Sequence, residues 1–150
     1  MGNETAGLGL PLMFLALFPF LFVGIWAGVV LLLSWVGGWR ALAGSYRAAQ
    51  PFTGEQFRAR VGWMRGARYR GVLSLGADSM GLHLSVFPLF RMGHPSLFIP
   101  WSDISFAKDR YGFFEGVRLR FSKVPSASLL IPTELAAMVF AKGPIRFEAA

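Results

Sequence analysis

The chain has 150 residues, of which 54% are hydrophobic, a formal net charge of +7 and no cysteine. The missing cysteine excludes disulfides, thiol nucleophiles and thiolate-bound metals, and suits a reducing compartment. All 15 Lys and Arg lie beyond residue 39, so about 110 residues, the size of one ordinary domain, hold the whole positive charge.

Residues 1–7, MGNETAG, read as a short polar tail, and Ala6 stands where a myristoylation signal wants Ser or Thr. From Leu8 to Val36 there is no charged side chain. About 20 apolar residues cross the hydrocarbon core, so residues 8–36 predict one transmembrane helix and are too few for two crossings. Pro11 is expected early in that helix and Pro19 at a kink, which membrane helices tolerate. A cleaved secretory signal has basic residues ahead of a core of about 7 to 15 apolar residues. Here only Glu4 precedes a much longer run, which argues against cleavage after Ala41-Leu42-Ala43.

Arg40, Arg47, Arg58 and Arg60 follow the run, and no Lys or Arg precedes it. Basic residues near a span stay on the cytoplasmic side, which predicts an N-out, C-in single-pass chain. Trp35, Trp39, Arg40, Tyr46 and Arg47 are the expected membrane-interface anchors. Gly24 and Gly28 have the spacing that lets two helices approach, the candidate contact of a homodimer.

Residues 37–51 predict a juxtamembrane amphipathic helix: Trp39, Leu42, Ala43 and Tyr46 recur at helical spacing, with Arg40 and Arg47 off that stripe. Such a helix either lies at the headgroup level or packs on the domain that follows. Pro51 closes it.

Residues 52–150 form the domain, and there the period changes. Phe52–Glu55 reads as a turn and Phe57–Trp63 as a first strand weakened by Gly62. Tyr69–Leu75 and Leu82–Val86 alternate as a hairpin, which points His83 outward into solvent. The connection Phe87–Ser96 is aromatic and apolar where a surface loop is normally polar, and it carries Arg91 and His94. Ser96–Pro100 reads as a strand, Lys108–Gly112 as a polar turn region, Val117–Phe121 and Leu129–Ile131 as strands, and Glu134–Phe140 as a helix capped by Thr133. Gly143–Phe147 is a last short strand or packs on the domain. Short strands followed by a terminal helix predict a mainly β, α+β domain: a bent antiparallel sheet or open barrel with a short C-terminal helix.

The rhythm Tyr69-x-Gly71-x-Leu73-x-Leu75, Asp78-x-x-Gly81-Leu82-x-Leu84, Leu97-x-Ile99-Pro100-Trp101-x-Asp103-Ile104 resembles that of bacterial PH-like and GRAM-like domains. The likeness covers about residues 69–104. With the anchor, the chain is similar to small bacterial membrane proteins that carry such a domain, which implies the bacterial inner membrane. In such domains loops between early strands commonly face the ligand or the membrane, and the resemblance therefore implies residues 87–96. It also implies that Asp103 satisfies backbone donors at a strand end.

Catalysis finds no support in the motifs. His83 and His94 lack metal-ligand spacing; no serine sits in a nucleophile elbow, and no Gly-rich phosphate loop occurs. An enzyme is therefore not expected, nor a cofactor or metal. The positive residues follow no nucleic-acid module, whereas anionic lipid attracts juxtamembrane cations by about 1 kcal/mol each. The expectation is a binding or scaffold module for an anionic lipid or a protein partner, with an accessory subunit of a larger membrane complex and a lipid-acting enzyme as alternatives. Phe87, Leu89, Phe90, Arg91 and His94 are the candidate contacts: the apolar three enter headgroups while Arg91 and protonated His94 meet phosphate, or these side chains fold back into the core.

Overall fold

A computed structural model describes residues 4–145. The uncharged run forms a single helix, α1 (Glu4–Val36), which continues through Pro11 and Pro19. The helix begins at Glu4, within the stretch expected as a polar tail. The stretch Gly7–Val36 is long and apolar enough to cross a membrane. A two-residue glycine turn leads into α2 (Trp39–Tyr46).

Seven strands follow, β1 (Gln56–Met64), β2 (Ala67–Ala77), β3 (Gly81–Val86), β4 (Leu97–Pro100), β5 (Ile104–Tyr111), β6 (Phe114–Phe121) and β7 (Ser128–Pro132), and then α3 (Thr133–Phe140). They make one antiparallel sheet in the order β4-β3-β2-β1-β7-β6-β5. The two edge strands, β4 and β5, are neighbours in sequence, joined by a 3-10 turn over Trp101–Asp103. The sheet is thus curled into a half-barrel. Register shifts in β1 between Phe57 and Gly62 bend it. At Gly62 a Cβ would meet Leu73 Cδ2 at 2.8 Å and Leu129 Cδ1 at 3.0 Å, so a larger residue there would push these two core leucines aside.

The alternating residues of β2, β3, β6 and β7 fill the concave side: Leu73, Leu75, Leu84, Val117, Leu119, Leu129 and Ile131 are buried. Leu135, Ala136, Val139 and Phe140 of α3 cover that side. Thr133 is the first residue of α3 and not its cap; Pro132 holds the N-cap position without a side-chain bond.

Three further expectations change. Lys108–Tyr111 belongs to strand β5, and the turn comes after it at Gly112-Phe113. His83 lies on the outer face as alternation requires, but it is not freely solvated: Phe52 stacks on its ring at 4.1 Å, Phe98 lies on it at 4.8 Å, and Asp78 bonds its Nε2 at 3.1 Å. Among the described residues the partners of the Asp103 carboxylate are side chains and not backbone donors: it accepts from the Ser102 hydroxyl at 3.5 Å and faces Lys123 Nζ at 3.4 Å. The tail stretch Gly143–Phe147 ends outside the described residues; its first part follows α3 as a turn, with Gly143 N bonded to Phe140 O.

Candidate functional site

The final turns of α1 are docked on the domain. Trp26, Val30, Ser34 and Gly37, spaced by four, four and three residues, form one stripe on the helix. Val30 and Ser34 are buried, although they belong to the expected lipid-facing run. The connection between β3 and β4 lies against this stripe. Phe90 meets the Trp26 ring with centroids 6.0 Å apart, and the Ser34 hydroxyl donates to the Gly93 carbonyl. Gly93 has φ +74°, a conformation that favours glycine, and a Cβ there would stand 2.8 Å from Leu31 Cδ2, which would have to shift.

Beneath that contact a polar-aromatic knot ties α2, β2 and the β3–β4 connection together. Trp39 of α2 is completely buried; its Nε1 donates to Pro95 O at 2.9 Å, and its ring faces Tyr69 and His94. His94, 3% exposed, has Nδ1 at 3.2 Å from Met92 O and Nε2 at 3.1 Å from the Tyr69 hydroxyl. A carbonyl only accepts, so Nδ1 carries the proton and Nε2 accepts from Tyr69. Burial holds the His94 imidazole below its ordinary value of 6.5, in the neutral form, and pushes the Tyr69 phenol well up.

These positions sort the expected contacts. Phe87 and Leu89 are exposed, 56% and 58%, together with Met92, and Arg91 is exposed beside them; Phe90 is half-buried against the core and Trp26. The loop thus keeps a row of apolar side chains outside the core. His94 follows the second expectation and folds back into the core: it is buried, neutral and bonded inside the protein. Trp39 and Tyr46 are corrections. Both point into the domain; the Tyr46 hydroxyl accepts from Lys123 N at 3.0 Å, and its ring lies 6.3 Å from Phe121. The stripe Trp39, Leu42, Tyr46 is buried against the domain, so α2 packs on its own sheet and does not present these residues to headgroups. Trp35, Arg40 and Arg47 are exposed. Gly24 and Gly28 have no neighbour within 4 Å of a built Cβ, and at 100° per residue they lie about 140° round the helix from the docked stripe.

Two recesses flank the junction. One of about 210 Å³ is lined by Val30, Leu33, Tyr69, Val72 and Phe90, with Arg68 and Arg70 at its wall. The other, about 680 Å³ and open, lies between α2 and the loop and gathers Arg40, Arg47 and Arg91. Among the described residues no group of three or more His, Asp or Glu side chains could hold a metal ion. A further hollow at the β5–β6 hairpin has charges already matched in pairs, Arg110 with Glu115 and Asp109 with Arg118.

Sequence reasoning singled out the loop but missed its partner, the Trp26–Ser34 stripe. An entirely apolar run has no polar face to contrast with a buried one. No family model matches this chain, nor does any curated protein or solved structure. The fold and the junction of loop and helix therefore carry the functional reading by themselves.

Proposed function

We propose that the chain is a single-pass, membrane-anchored module whose PH-like half-barrel is held against the inner surface of a bacterial cytoplasmic membrane, N-out and C-in, to bind anionic lipid or a protein partner there. The observation that carries this reading is the apolar loop 87–93 seated beside the last turns of an apolar helix.

Lengths support it. The 30 residues Gly7–Val36 extend about 45 Å at 1.5 Å each, the thickness of a bilayer with its headgroup layers, whose hydrocarbon core takes about 30 Å. A centred helix puts hydrocarbon on roughly residues 12–31. Trp26 and Phe90 then lie inside the inner edge of the core and Ser34 in the headgroup layer. Phe87, Leu89 and Met92 then have lipid to cover them, as do the exposed Val29, Leu32 and Val36 of α1. A leader cleaved after Ala43 would carry off Trp39 and Leu42, both completely buried, and loss of one such aromatic costs about 3–5 kcal/mol.

The chain has no cysteine, so single-cysteine variants report cleanly. In sealed inverted membrane vesicles Leu89→Cys is expected to resist a water-soluble maleimide while Phe113→Cys, at the fully exposed β5–β6 turn, reacts at once. Equal labelling of both, or protection of Phe113→Cys until detergent is added, overturns the reading. A specific observation favours the accessory-subunit alternative as the second reading: β5 is an open sheet edge with Tyr111 and Phe113 exposed beside it, and a strand from another subunit fits such an edge.

A further inference from the structure

The open recess between α2 and the loop has a composition that the anchoring role alone does not require. Arg40 near the start of α2 and Arg47, the extended residue just past its end, face the recess with Gly44 between them, and Arg91 reaches the same space from the loop. Among the described residues no acidic side chain lines it, and no ion pair includes these three arginines. Like charges gathered without counterions repel, so an anion that joins them gains from all three at once. Gly44 keeps the floor low: a Cβ built there meets nothing within 4 Å. On the membrane side the wall is Leu31 and Ser34 of α1, which the depth argument places at the boundary between hydrocarbon and headgroups.

We infer that this recess is a binding site for an anionic glycerophospholipid, its phosphate held by Arg40, Arg47 and Arg91 and an acyl chain running down the Leu31 side of α1. The inference rests on the proposed seating of the loop in the leaflet. Guanidinium groups suit the task because their planar forks take phosphate oxygens in pairs. A soluble phosphate would leave the apolar wall unused, whereas a phospholipid at this depth meets both the charge and the hydrocarbon in one molecule. The site would fix the lipid against the body of the protein rather than merely attract a diffuse layer of anions.

The test is native mass spectrometry of the full chain released from nanodiscs of phosphatidylcholine with phosphatidylglycerol. Wild type is expected to retain phosphatidylglycerol, and each of Arg47→Gln and Arg91→Gln to lower the retained fraction about fivefold. Gly44→Leu, which fills the floor and leaves every charge in place, is expected to abolish retention. Arg120→Gln on the outer face of β6 is expected to change nothing. Excess inorganic phosphate that displaces the lipid completely would show that the site takes a free anion and overturn the lipid assignment. Equal retention by wild type and the Arg47→Gln/Arg91→Gln double variant overturns the site itself. Should Gly44→Leu fail to fold, as read by its near-ultraviolet circular dichroism, the two arginine variants still decide. Leu89→Cys labelling in pure phosphatidylcholine separates the two proposals: protection there without lipid retention sinks only the recess, and free labelling sinks the seating of the loop.

Discussion

At the scale of single residues, the junction depends on His94 remaining neutral. Its folded-state pKa lies below 6.5 because burial disfavours the imidazolium, an effect that outweighs the acceptor carbonyls of Met92 and Phe90, and its Nε2 faces the Tyr69 hydroxyl. The sign follows from linkage. Below 6.5 the unfolded chain binds more protons than the folded one, so stability contributed by neutral His94 is intact above that value and declines as pH falls through it. The full chain in detergent is therefore expected to lose melting temperature between pH 7 and pH 5, and His94→Gln to flatten that slope while lowering stability at pH 7. An unchanged slope in the variant would show that His94 does not titrate on unfolding. The sequence marked His94 only as a basic residue in an apolar loop. Nothing in Gly93-His94-Pro95 discloses that Tyr69, 25 positions earlier, waits to donate to it.

At the scale of elements, legibility followed contrast. The β2–β3 hairpin and β6 alternate cleanly because one face is packed and the other wet, and both were readable. Strand β5 was not: apart from Ile104 and the half-buried Asp109 its side chains are exposed on both faces, so its charged stretch Lys108–Arg110 looked like a turn. Helix α2 was readable as amphipathic, but periodicity names a buried face without naming what buries it. The docked stripe of α1 was hidden altogether, and a matched pair of substitutions measures it. Val30 is 2% exposed and Val29, its neighbour in sequence, 49%. Val30→Ala is expected to cost about 1.5–2 kcal/mol for two buried methylene equivalents, and Val29→Ala less than about 0.5 kcal/mol, in denaturant titrations of the detergent-solubilised chain. Equal costs would mean that the domain does not grip the helix.

For the whole molecule, the long apolar helix and the domain are one folded unit rather than a body on a tether. The chain after Val36 turns through two glycines directly into α2, whose Trp39 and Leu42 are core residues, which leaves no linker in which a free domain could swing. Removing the helix therefore does more than shorten the chain. A fragment of residues 38–150 loses Val30 and Leu33 from the wall they share with Tyr69, Val72 and Phe90, and it loses the hydroxyl of Ser34 from the Gly93 carbonyl. Phe87, Leu89 and Met92 are exposed already, so the newly bared wall joins them in a continuous apolar surface of the kind that soluble monomers avoid. The fragment is expected to self-associate in buffer, to become monodisperse when mild detergent is added, and to melt below the full chain in the same detergent, as followed by light scattering and circular dichroism. A fragment that is monomeric in plain buffer and melts with the full chain would make α1 a passive tether. In that case the loop would owe its position to the sheet alone, and the apolar row it presents would need another explanation than a bilayer pressed against it.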